Sequence, residues 1–125
     1  MFGRSWRYYD VMIARVYRGT TSFGPPVLTI DSSGMVYQGL LSFGTPVLNI
    51  SGERIFRGYF AAGTPVATVR GNYVYPGAWG NSAPVATIEG QHVYQGNNPS
   101  GPPIATALGG GKMDAAAAAA YFLLL

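Results

Sequence analysis

A phrase of nineteen residues recurs along this chain, and it limits the fold more than any single residue does. The aromatic residues Tyr17, Tyr37, Phe56, Tyr75 and Tyr94 stand 20, 19, 19 and 19 residues apart. A glycine follows each two positions later: Gly19, Gly39, Gly58, Gly77 and Gly96. Seven residues after each glycine comes a proline: Pro26, Pro46, Pro65, Pro84 and Pro103. A constant interval on both sides of the loop means that backbone geometry is being copied, and such a period marks a repeat architecture.

Each unit carries the marks of a β-hairpin. In "ATVRGNYVY" (67–75) β-branched and aromatic residues flank Gly71-Asn72, and glycine at the first central position suits a type II′ turn. Gly52-Glu53 and Gly90-Gln91 repeat this arrangement. "DSSGM" (31–35) has one residue more, which predicts a three-residue bulged turn and accounts for the single step of 20. Each proline stands at a strand entrance, where a missing N–H does least harm.

Alternation then sorts the faces. Ala67, Val69 and Val74 share one side of the hairpin, and Leu48, Ile50, Ile55, Ala86, Ile88 and Val93 match them in other units. The opposite side sets Thr or Asn against an aromatic: Thr29 with Tyr37, Asn49 with Phe56, Thr68 with Tyr75, Thr87 with Tyr94. The tight turns are polar. The seven-residue loops are apolar, with Phe23, Leu40, Leu41, Phe43, Tyr59, Phe60 and Trp79.

The expected fold is therefore all-β, with about five 19-residue hairpin repeats over residues 15–108 in one domain. A meander of roughly ten to twelve short strands exposes its edges unless it closes. A closed antiparallel barrel, prism or propeller-like ring is the expected answer, and a β-solenoid is the alternative. The first unit, "RYYDVMIARVY", has Ile13-Ala14 in place of the glycine turn, so its hairpin is doubtful; "PPIATAL" reads as a lone last strand. A glycine-rich hinge (109–113) leads to an alanine-rich helix (114–125) with Asp114 as its N-cap. At about 16 Å that helix matches a five-residue strand of about 17 Å, so it can plug or cap the array. Alanine at 67, 86 and 105 on the core face leaves room for close approach.

The repeat unit resembles tandem "VYxG…GxPVATI" repeats of small bacterial proteins, over residues 15–108. The resemblance implies a repeat fold and an origin of the kind found in mobile gene cassettes. It carries no functional residues to this chain.

Composition narrows the function. The chain is 48% apolar and 10% charged, with net charge +3 and no cysteine. That removes disulfides and thiol chemistry, and a surface so poor in charge favours self-association or a covered face. "AAAAAAYFLLL" is shorter than the roughly 20 residues of a membrane span, and "MFGRSWRYYDVMIARVY" lacks a signal-peptide core, so the expectation is a soluble cytoplasmic protein. His92 is the single histidine, the five acids are scattered, and "ALGGGKMD" lacks phosphate-loop spacing. No metal, cofactor or catalytic residue is expected. Arg4, Arg7, Arg15 and Arg18 fit an edge strand better than a nucleic-acid site.

The expected activity is non-enzymatic: binding or self-assembly, with a homo-oligomer as first partner. Phe23, Phe43, Tyr59, Phe60, Trp79, Tyr37, Tyr75 and Tyr94 are the candidate interface or ligand residues. A lectin-like module for carbohydrate or another small ligand is the alternative, and an enzyme acting through His92 or Glu89 the third reading.

Overall fold

The computed structural model describes residues 12–20, 22–40 and 44–125. Ten strands follow one another: β1 (Met12–Arg18), β2 (Leu28–Asp31), β3 (Met35–Gln38), β4 (Leu48–Ser51), β5 (Arg54–Arg57), β6 (Ala67–Arg70), β7 (Tyr73–Pro76), β8 (Ala86–Glu89), β9 (His92–Gln95) and β10 (Ala105–Leu108). Each pairs antiparallel with its neighbour in sequence, and β10 pairs with β1, so the sheet is a closed barrel. Antiparallel neighbours closing on themselves exclude the solenoid, whose rungs stack parallel. Closure also removes the sheet edges that invite aggregation.

The last strand is not alone. β10 forms a hairpin-like pair with β1, with Arg15 opposite Leu108 and Arg18 opposite Ala105. The fifth unit is thus assembled from the two ends of the array. A buried hydrogen bond repeats in every unit. Thr29, Thr68 and Thr87 donate to the carbonyls of Gly39, Gly77 and Gly96 at 2.7, 2.8 and 2.8 Å. Asn49 does the same to Gly58 through Nδ2, and Thr106 to Gly19. Left unpaired in so buried a place, such a hydroxyl would cost about 1–3 kcal/mol.

The turns follow the sequence. Gly71 has φ +60° and no described non-glycine residue has positive φ, which defines the II′ geometry expected at Gly71-Asn72. The 31–35 turn holds three residues and ends on Gly34 at φ +90°. There the Asp31 carboxylate accepts from the Ser33 and Met35 backbone N–H groups at 3.0 and 3.1 Å.

Hairpins pair more fully than the four seams from β3–β4 to β9–β10, whereas the bulged β1–β2 seam aligns four residue pairs. Within a hairpin, β6 and β7 align four residue pairs, from Ala67 opposite Pro76 to Arg70 opposite Tyr73. Across a seam, β5 and β6 align only Arg54 with Thr68 and Ile55 with Ala67.

The lumen is filled by the C-terminal helix α1 (Lys112–Leu124). Ala115 to Ala120 are fully buried and join the strands' inner residues in one core. Its backbone comes within 8 Å of β1, β4 and β6 to β10. The small residues Ala67, Ala86, Ala105 and Ala107 line much of that side, while the larger Leu28, Ile30 and Ile55 stand on β2 and β5. An alanine helix is thin enough to fit, and burying this apolar surface stabilises the fold by roughly 25 cal/mol per Å².

Two expectations about the helix entrance are corrected. The helix starts at Lys112 with Gly111 as N-cap, so Asp114 is the third helical residue and not the cap. Its carboxylate reaches back to accept the Gly111 N–H at 2.8 Å, the returning half of a capping box. The glycine stretch is also shorter than the expected 109–113, because Lys112 and Met113 already belong to the helix. A Cβ at Gly110 would collide with the Asp114 carboxylate and approach the Ala14 Cβ to 2.9 Å. Lys112 Nζ ties this end to the Gly71 carbonyl at 2.7 Å.

Candidate functional site

The two barrel ends differ. The helix enters among the tight turns, where Lys112 meets Gly71, and leaves at the opposite end among the seven-residue loops. There Gln38 Nε2 donates to the Tyr121 hydroxyl at 2.6 Å. The Arg18 guanidinium stacks 4.7 Å from the centre of the Phe122 ring. That end, the rim, carries Phe23, Leu40, Tyr59 and Phe60, with exposures of 86, 54, 57 and 72%, beside the exposed Leu125. Tyr59 and Phe60 pack on each other with ring centres 5.1 Å apart. No loop from 20–26, 40–46, 59–65, 78–84 or 97–103 contains a charged residue. Phe43, the remaining loop candidate, lies outside the described residues.

The three tyrosine candidates are elsewhere. Tyr37, Tyr75 and Tyr94 are half-buried on the outer wall of three separate hairpins, opposite Thr29, Thr68 and Thr87. The structure does not bring them together. Tyr75 meets Tyr73 edge-on and Tyr94 meets His92 likewise, each at 6.5 Å. Their threonine partners have already committed their protons to glycine carbonyls. Burial, then the Asp31 carboxylate and Tyr59, hold the Tyr37 phenol above its ordinary value of 10.0.

His92 faces Glu89 across its hairpin, and its Nδ1 lies 3.2 Å from Thr106 Oγ1. Because the Thr106 proton goes to Gly19, Nδ1 must be the donor in that contact. The ring therefore helps brace the seam between β9 and β10.

Trp79 departs from the rim. With Ala78 and Gly80 it lies along the outer wall over the β5–β6 seam, bounding a groove of about 440 Å³ with Ser51, Glu53, Arg54, Thr68 and Arg70. In sequence Glu53 sits in one tight turn and Arg70 beside another, and no local pattern joins either to Trp79. A cue was present in "AWGNSAP", the single loop with a tryptophan and the only one with no glycine two residues before its proline.

These features define a closed ring of hairpin petals around a central helix. The chain belongs to the 6-fold beta flower protein family, whose model matches residues 16–121. The described residues of this member close on five hairpin pairs. No curated protein and no solved structure matches the chain. Among the described residues no helix is long and apolar enough to cross a membrane.

Proposed function

We propose that this β-flower is a non-enzymatic binding and assembly module of the cytoplasm, and that its rim is the surface two copies share. The observation that carries the reading is a rim whose loops hold no charged residue, with Phe23, Leu40 and Phe60 exposed around the end of the helix. Clusters of exposed apolar side chains mark interaction surfaces. A second copy fits because two such rims meet without burying any loop charge, and burying unpaired charge is what most often penalises a contact. A closed sheet leaves no edge for strand addition, so association has to run through side chains.

The test is the mass in solution by light scattering, on the full chain and on the Phe23→Arg and Phe60→Arg variants. Each substitution places a cation in the contact, and the expected result is a multimer that falls to monomer. A parent that is already monomeric sinks the reading.

A further inference from the structure

We propose that the groove over the β5–β6 seam binds a small anion that carries a stackable ring, as a nucleoside monophosphate or an acidic sugar does. This site is separate from the rim and does not depend on assembly.

The repeat itself supplies the argument. In sequence the same columns recur at each seam: the first residue of one hairpin's second strand, the last residue of the next hairpin's first strand, and the start of the loop that follows. At the β5–β6 seam these are Arg54, Arg70 and the Ala78-Trp79-Gly80 segment. The seam between β7 and β8 has Tyr73, Glu89 and "NNP"; the one between β3 and β4 has Met35, Ser51 and "YFA". Only the β5–β6 seam combines two arginines with a tryptophan. Identical bricks need no such exception, so the exception points to a ligand.

The groove is also fitted together. Gly80 does not have positive φ, so its backbone does not require glycine. The Arg70 side chain instead takes up the space a side chain would occupy: a Cβ there would collide with Arg70 Cδ and stand 3.1 Å from Nη1, so Arg70 would have to move aside. The missing side chain lets the Arg70 side chain lie against the loop backbone, beside an indole that is 72% exposed. Guanidinium forks match phosphate and carboxylate oxygens in bidentate fashion. An exposed indole offers its face to a base or a sugar ring. The volume falls within the usual range for small-ligand sites, about 300–1,000 Å³.

The experiment titrates AMP, digalacturonate, inorganic phosphate and adenosine into the full chain, followed by calorimetry and by tryptophan emission, with Trp79→Phe separating the Trp79 signal from that of Trp6. The expected result is saturable binding of AMP or digalacturonate that weakens as salt rises, with phosphate and adenosine much weaker. Which of the two binds distinguishes phosphate from carboxylate. Arg54→Gln and Arg70→Gln should each weaken binding by about tenfold, the scale of one lost charge-assisted contact. Gly80→Ala should also weaken it, by displacing Arg70, with the melting temperature of all three close to the parent's. No saturable binding of either ringed anion at millimolar concentration overturns the proposal. So does an Arg54→Gln/Arg70→Gln double variant that binds like the parent. Phosphate binding as tightly as AMP and digalacturonate would overturn the ring-stacking half.

Discussion

The Thr106 hydroxyl donates to the Gly19 carbonyl at 2.7 Å, although 87 residues separate the two in sequence. Thr87 makes the same bond to Gly96 across 9 residues. One interaction is therefore local in four units and in the fifth joins the two ends of the ring.

Removing the hydroxyl tests whether that closure is energetically ordinary. Thr106→Val and Thr87→Val each leave a half-buried glycine carbonyl unpaired and should each lower stability by about 1–3 kcal/mol, Thr106→Val also losing the His92 contact. Urea denaturation reads both. Equal losses mean the closing seam is as strong as any hairpin, whereas a negligible loss at Thr106 would show that the ends are held by something else.

Filling the lumen leaves no room for larger residues on the helix. Ala117→Leu forces three extra carbons into a fully buried position and should destabilise by about 1–3 kcal/mol. Deleting residues 112–125 should unfold the barrel altogether, because its inner wall would then face water. A truncated chain that melts at the parent temperature would contradict the placement of the helix.

Asp114 has a pH signature. Burial raises its pKa above 3.8, and the Gly111 N–H only partly offsets this. A raised folded-state value means the native protein holds the proton more tightly than the unfolded chain. Stability from this group is thus full below 3.8 and declines as pH rises through the folded pKa. Asp114→Asn keeps the acceptor without the charge, so its stability relative to the parent should grow over that window. Asp114→Ala removes the acceptor for the Gly111 N–H, so its cost, about 1 kcal/mol at low pH, should shrink as pH rises through the same window. Parallel pH curves for parent and Asn variant would refute the assignment.

How much of this was legible beforehand depended on distance along the chain. The hairpins, their II′ turns and the aliphatic inner face are encoded within nine-residue windows, and Gly71, Val69 and Val74 fall where the alternation puts them. The pairing of Arg15 with Leu108 was not visible, because no local pattern couples strands so far apart. Asp114 looked like a cap because aspartate caps well, while the true cap, Gly111, has no side chain to announce itself. The exposed rim residues could be named from their loops. The groove could not, since Arg54, Arg70 and Trp79 come from three segments and meet only once the seam has formed.

The order in which the parts are synthesised adds a constraint. β10, which shuts the ring, and α1, which fills it, both follow the four complete hairpins. A nascent chain that has reached Gly96 therefore carries four petals with their inner faces uncovered and nothing yet made that can cover them. Ring formation has to wait for the ribosome to deliver the remainder, and its first closing contact spans nearly the whole array. Such long-range pairing is slow, so this protein passes through an exposed half-built stage each time it is made, and a translation arrest before the helix leaves a product that holding chaperones and proteases can recognise.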